Sequence, residues 1–345
     1  MANTNTSTQI TSAMTEFYSK VILERAEPEL VHDRYGQQRP IPKRSSKTIK
    51  WSRYGLFSSP ASTPSGVLAD ITVNTAPLSE GVTPAGKYVS RADVTASLQQ
   101  YGDFVEVTDM VDLTNPDPVL TEVSEMLGEQ SGRSIDIVHR DQLAAGTNTF
   151  FSGAATTVGT VAAIVDTDLF QAVLRDLASQ VAKRFTEIIR ATDGVGTQPI
   201  RSAYWSIVHT DVHMPDLDDL PDFTPVHEYA SQGPVQPGEV GSLKNIRFVE
   251  TTQAKVDLGA GATDSTVKNT AGEVDVYYTL VFGKNAYGIS PLAGNAMRSI
   301  TKALGSAGTA DALDQRATTG WKAITAPAKI LNDNWMAVIH SAASL

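Results

Sequence analysis

The sequence predicts an α+β fold that carries a long two-stranded arm. Three observations predict it. Two stretches, about 118–145 and 167–190, repeat apolar residues at helical spacing. Short strand-like runs separated by turn residues follow from residue 200 onward. Ahead of both lies a cation-rich stretch, 32–102, punctuated by prolines.

The first element is a helix over 10–24. Ile10, Met14, Phe17 and Val21 are spaced four, three and four apart and share one face, and Pro28 stops the helix. In the next stretch Arg34, Arg39, Lys43, Arg44, Lys47, Lys50 and Arg53 occur with no acidic residue between the first and the last. Strands are expected over 48–54 and 88–98, where Val94, Ala96 and Leu98 alternate with polar residues. Residues 55–86 between them are rich in Ser, Pro, Thr and Gly and form a loose tip. An isolated two-stranded ribbon is marginal in water, and ordering it costs about 1–2 kcal/mol per residue. The arm is therefore expected to order against a second subunit.

A long helix follows at about 118–145. Asp117 and Pro118 open it, Leu120, Val123, Leu127, Ile135 and Val138 form its apolar face, and Gly146 closes it. Glu122, Glu125, Glu129, Arg133, Asp136 and Arg140 mark the opposite face, and Gly128 and Gly132 permit a bend. At 1.5 Å per residue its length is about 42 Å. The helix at 167–190 has the widest stripe, Phe170, Val173, Leu174, Leu177, Val181, Phe185 and Ile188, and reads as a core helix ended by Asp193-Gly194. Strands are expected at 203–209, 245–250, 254–258, 274–282 and 335–340, with a hairpin tip at 259–273.

A chain of 345 residues that is 41% hydrophobic can hold one large domain or two modest ones. The absence of cysteine excludes disulfides and thiolate chemistry. No run approaches the roughly 18 apolar residues of a membrane span, and the Thr/Asn/Ser-rich opening is not a secretory signal. The net charge of −10 is unevenly placed. Residues 1–100 hold 11 Lys/Arg against 8 Asp/Glu, +3, which leaves −13 for the remainder. An acidic chain is poorly suited to wrapping DNA by counterion release, yet it can enclose DNA with little adhesion.

The best enzyme-like cluster is His209, Asp211 and His213, which would share a face if the segment were a strand. Asp216, Asp218, Asp219, His227 and Glu228 follow nearby. Such a set suits a divalent metal and a metal-dependent hydrolase; the competing structural reading is a strand ending at His209 and a polar turn. Gly194-Val195-Gly196 and Gly259-Ala260-Gly261 lack the third glycine of a phosphate loop and read as turns. No nucleophile-elbow motif is present. No catalytic residue, cofactor or metal is assigned. Tyr35, Trp51 and Tyr54 interleave with the cations as in single-strand nucleic-acid modules. The charge split favours a different use, in which Arg39, Lys43, Arg44, Lys47, Lys50, Trp51 and Arg53 contact the acidic remainder of a neighbouring copy. His32, His139 and His340 read as surface or helix-face positions.

An ordered series of short motifs then gives a family resemblance. Glu29-Leu30-Val31-His32-Asp33 precedes Arg39-Pro40-Ile41-Pro42 and a segment at 78–86. Gln100-Tyr101-Gly102-Asp103-Phe104-Val105-Glu106 leads to Asp117-Pro118-Val119-Leu120, Leu127-Gly128-Glu129-Gln130 and Ala145-Gly146-Thr147-Asn148. Further on come His209 to Asp211, Glu239-Val240-Gly241, Arg247-Phe248-Val249-Glu250-Thr251 and Gly320-Trp321-Lys322-Ala323. Together they span most of the chain, which resembles the major capsid proteins of the phage group typified by coliphage N-four, with the Hong Kong 97-type fold. The resemblance implies an N-terminal arm at 1–32, an extended loop at 33–102, a peripheral domain at 103–164 with a spine helix at about 118–145, an axial domain at 165–290 and a C-terminal return to the peripheral domain at 291–345. It implies pentamers and hexamers of this chain in an icosahedral shell around double-stranded DNA. Scaffold, portal and decoration proteins are expected as partners, synthesis in the host cytoplasm and residence in the virion. Lys47, Lys50, Lys87 and Asn332 lack a context for the lysine–asparagine crosslink of some relatives, so none is expected.

Overall fold

The computed structural model describes residues 30–54, 77, 80–83, 91–114, 119–185, 202–229, 236–293, 297–302, 313 and 315–345. The helix expected at 10–24, most of the 55–86 tip and the Asp117-Pro118 cap lie outside them.

In chain order the main elements are β1 (Gln37–Gln38), β2 (Thr48–Tyr54), β3 (Arg91–Ser97), β4 (Gln99–Thr108), α1 (Asp109–Thr114), α2 (Val119–Leu143), β5 (Thr149–Phe151) and α3 (Thr167–Ser179). Then come β6 (Tyr204–His209), β7 (Phe223–Pro225), β8 (Glu239–Leu243), β9 (Ile246–Thr251), β10 (Val256–Asp257), β11 (Asn269–Thr270) and β12 (Glu273–Val274). β13 (Val276–Phe282), β14 (Tyr287–Pro291), β15 (Met297–Lys302), β16 (Arg316–Ile330) and β17 (Met336–Ser341) complete the order.

The first sheet is organised by β16, the longest strand. One edge of β16 pairs antiparallel with β4, from Arg316↔Thr108 to Thr325↔Gln99. Its other edge pairs with β15 and then with β14, which in turn takes β1 in parallel. Helix α2 lies across this sheet. Leu127 and Ile135 pack on Trp321 and Ala323, with Leu30, Tyr101, Val123 and Met297 around them. The sequence did not predict β16: most of its residues are Ala, Thr, Gly and Lys, which give little strand signal, although Trp321 of the same strand packs under α2.

The second sheet runs β5-β17-β13-β6-β9-β8-β7, with β10 beside β13. Both its faces are buried. Tyr204, Val208, Phe248, Tyr277, Val281 and Ile339 face α3, while Trp205, Ile207, Tyr278, Leu280, Phe282 and Val338 face a second core. That second core takes in Tyr287, Ile289 and Ala328 of the first sheet and thus joins the two sheets. Strands covered on both faces have no polar side to show, which is why they read as continuous apolar runs.

Helix α2 matches its expected span. Its expected polar face does not hold throughout, because Asp136 is buried. Helix α3 starts at Asp166, whose side chain accepts the Leu169 N–H at 2.6 Å. It ends at Ser179, well short of residue 190. Ala182 N–H bonds to Leu177 O and Val181 N–H to Ala178 O, the paired closure of a Schellman cap, with Val181 at φ 52° where glycine is usual. Val181 and Phe185 kept helical spacing in the sequence. In the fold, however, Val181 is 54% exposed and Phe185 bridges Ala203.

Candidate functional site

β2 and β3 form the expected antiparallel ribbon, from Thr48↔Ser97 to Tyr54↔Arg91. One face is polar: Lys50 Nζ lies 2.6 Å from Asp93, and Arg91 Nε and Ser52 Oγ donate to the same carboxylate at 2.9 and 2.7 Å. Lys50 and Ser52 beside it hold the Asp93 carboxyl well below the usual carboxylate range. The other face is apolar at its root, where Trp51 and Ala96 pack with Ile41, Leu98 and Ala326. Arg39, Lys43, Arg44, Lys47, Lys50 and Arg53 are all exposed. Trp51 departs from this set. It is 5% exposed and sits against its own chain, so its indole roots the ribbon and presents no surface to a second copy.

The histidines expected at surface or helix-face positions are buried, His139 on the inner side of α2. His32, His139 and His340 are at most 3% exposed. His32 Nδ1 lies 2.7 Å from Asp136 Oδ2, and Asp136 Oδ1 accepts the N–H groups of Val31 and His32. Burial acts to raise the Asp136 pKa, but the His32 charge and these hydrogen bonds outweigh it and the net shift is downward. Burial, with Asp136 nearby, raises Asp33 to about 6. Tyr287 donates to His32 O at 2.7 Å, so this knot ties the segment after residue 30 to α2 and β14.

Motifs distant in sequence meet elsewhere as well. Gln130 of α2 donates to Asp103 at 2.7 Å and accepts from Trp321 Nε1 at 3.3 Å. Arg247 Nη1 donates to the buried Glu239 at 2.7 Å, its guanidinium 5.9 Å from the Trp205 ring. The N–H of Thr147 reaches both Asp333 oxygens at 3.1 Å, and Asn148 Nδ2 reaches Asp176 and Met336 O at 3.0 Å. Thr147 N–H and Met336 O are backbone partners in this set; the remaining pairs join side chain to side chain.

Of the metal-like trio only two members meet: His209 Nδ1 lies 3.7 Å from Asp211 Oδ2, and His213 points elsewhere. The chain leaves the strand at His209 and turns helically at Thr210–Val212, so the three side chains lose their common face. Asp211 is held by Lys268 Nζ at 2.8 Å and Tyr277 Oη at 2.9 Å. His213 turns instead to Glu250 at 2.8 Å and Asp218 at 3.3 Å. Among the described residues no group of three or more His, Asp or Glu is arranged to hold a metal ion.

Sequence reasoning missed an apolar face that no described element covers. Cross-strand register places Phe104, Gly320 and Ile300 side by side on the face of β4–β16–β15 opposite α2. Phe104 is 62% and Ile300 41% exposed, and Met110 and Val111 of α1 are exposed as well.

Comparison with solved structures places this architecture among phage capsid chains. A chain of the capsid of Ralstonia phage GP4 matches with TM-score 0.61 and 10% identity, covering 91% of this chain and 89% of that one. A chain of the Helicobacter pylori bacteriophage KHP40 head matches with TM-score 0.58 and 11% identity over 91% and 88%. A chain of the cyanophage P-SCSP1u capsid matches with TM-score 0.56 and 16% identity over 91% and 89%. No protein-family model matches the chain, and no curated protein matches it by sequence. At such identities the likeness lies in the backbone, and the fold is a phage-capsid fold.

Proposed function

We propose that this chain is a phage major capsid protein, a coat subunit that assembles with its own copies into the icosahedral head shell enclosing double-stranded DNA. The observation that carries the reading is the match to capsid chains of separate phages over about nine-tenths of the length of each. The layout supports it: a ribbon rooted at one end and exposed cations along the 39–53 run suit heterologous contacts that close into rings and then a lattice. In the Hong Kong 97-type reading, residues 1–32 are the arm, 33–102 the extended loop, 103–164 with the 291–345 return the peripheral domain, α2 its spine, and 165–290 the axial domain. Kinship with the coliphage N-four group is part of the same proposal, as are scaffold, portal and decoration partners, synthesis in the host cytoplasm and residence in the virion. The subunit has no enzymatic role, and Arg39, Lys43, Arg44, Lys47, Lys50 and Arg53 contact the neighbouring copy.

Negative-stain microscopy of the purified chain across protein and salt concentrations tests the reading. Polyhedral shells or regular sheets are the expected result. A compact monomer at every concentration, with the ribbon as protected from hydrogen exchange as β13, would sink it.

A further inference from the structure

At the root of the ribbon the chain encloses a pocket of about 760 Å³. Leu98, Leu292 and Ile324 form its apolar floor, and the turn that carries Arg44 and Lys47 forms its rim beside Gln99. The turn is fastened at both ends. Ile41 N–H donates to Pro291 O at 3.0 Å before it, and Lys47 O accepts the Leu98 N–H at 2.8 Å after it. Within it Arg44 holds φ 62°, a left-handed conformation that costs a non-glycine residue energy and persists only where the surroundings impose it. No carboxylate is among the residues that line the pocket.

The other end of β4 carries the complement. From Gly102 to Val111 the sequence holds Asp103, Glu106 and Asp109 and no Lys or Arg. Met110 and Val111 of α1 are 63% and 43% exposed and make an apolar knob. Arg316 pairs with Glu106 at 3.7 Å, and Asp109 sits at the base of the knob, where its carboxylate accepts the Met110 N–H at 2.8 Å. We propose that the Met110–Val111 knob of one copy seats in the ribbon-root pocket of the next, with Asp109 facing Arg44 and Lys47. The contact rests on the coat reading and names its two surfaces. Two observations choose a second copy as the occupant. The first is chemistry: apolar side chains flanked by acid meet an apolar floor flanked by cations, and complementary charge fixes the register. The second is distance. β4 keeps unbroken antiparallel register with β16 from Gln99 to Thr108. Pocket and knob are therefore about 30 Å apart at ~3.3 Å per residue, and one chain cannot join its own. A pocket and a knob at opposite ends of one strand make a head-to-tail contact, the heterologous kind that closes into rings.

The absence of native cysteine makes the test direct. Full-length Ser45→Cys and Met110→Cys chains, each with one exposed thiol, are mixed in equal amounts under assembly conditions and oxidised. Ser45→Cys mixed with Val181→Cys, whose site is exposed but lies elsewhere, is the control. The expected result is a disulfide between the two kinds of chain in at least ten-fold higher yield than in the control, read by non-reducing electrophoresis and peptide mass spectrometry. Adding Arg44→Glu and Lys47→Glu to the Ser45→Cys chain should remove that excess. Equal yields in the two mixtures would overturn the proposal. So would a yield unchanged by the charge reversal while binding of single-stranded DNA is lost, which would assign the pocket to nucleic acid. Shell formation by the unaltered chain is scored separately. Shells without the link refute this inference and leave the coat reading standing, and the link without shells does the reverse.

Discussion

His32 and Asp136 meet at 2.7 Å with both side chains fully buried, and the second carboxylate oxygen holds the backbone N–H groups of Val31 and His32 at 2.9 and 2.8 Å. The pair fixes the point where the N-terminal segment enters the body. Asp136→Ala strands an imidazole and two N–H groups in the interior, at a cost of about 3–5 kcal/mol. Asp136→Asn keeps an acceptor for the backbone and costs about 1–3 kcal/mol. Urea denaturation followed by circular dichroism should rank the parent above Asn and Asn above Ala; three equal midpoints would remove the anchor.

Acid should weaken the fold. Burial lowers His139 to about 4, and burial likewise lowers His340 to about 4. Both values lie below the ordinary 6.5, so each histidine's contribution is whole above pH 6.5 and is lost as pH falls toward 4. Asp33, raised from 3.8 to about 6, acts in the other sense: its contribution favours the fold at low pH and disappears as pH rises through 6. The two histidines and the lowered Asp136 act against Asp33, and the net is a loss on acidification. The His340 ring stacks on Phe151 at 4.9 Å and meets Tyr278 edge-on at 4.4 Å, so His340→Phe fits the same space without titrating. The melting temperature of that variant should fall less between pH 7.5 and pH 5 than the parent's; an unchanged fall would refute the assignment.

Where side-chain type and burial agreed, the sequence was readable. β6, β13 and β17 announced themselves because both faces are covered, and α2 because Leu127 and Ile135 repeat on one face. Elsewhere the partner decided. β16 is a strand because β4, β14 and β15 lie beside it, and its Ala, Thr and Gly residues gave no local signal. Val181 and Phe185 imitated a helix that the Ala182-to-Leu177 bond ends. His209, Asp211 and His213 imitated a metal site because their alternation means a common face only on a strand, and the strand stops at His209. His32 and Asp136 lie 104 residues apart, beyond any local pattern. The short motifs at Asp103, Gln130, Trp321, Glu239 and Arg247 carried more, because each is one half of a tertiary contact.

Charge reversal at Arg39, Lys43 and Arg44 should impair assembly without unfolding the subunit. All three side chains are exposed, so the melting temperature of the triple Glu variant should stay within about 2 °C of the parent's. Their attraction to an acidic neighbour acts over about 10 Å at 0.1 M salt, so the assembly defect should be largest at low ionic strength. Light scattering of assembly across a salt series reads it. Unchanged assembly together with weaker binding of single-stranded DNA would return the cations to a nucleic-acid role.

Trp51 is the joint between ribbon and body. Its six-membered ring lies where a Cβ on Gly288 of β14 would approach it to 3.0 Å, and Ile41, Leu98 and Ala326 close the rest of its site. Trp51→Ala empties that site, at a cost of about 3–5 kcal/mol for a large aromatic, and the loss falls on the ribbon because no other strand pairs with β2 or β3 among the described residues. Gly288→Val should reach the same state from the other side by pushing the ring out. Hydrogen exchange should show β2 and β3 losing protection in both variants while β13 keeps its own. Equal loss in β13 would mean that the indole supports the whole fold, and protection retained in β2 and β3 would mean that the ribbon is held somewhere other than at its root.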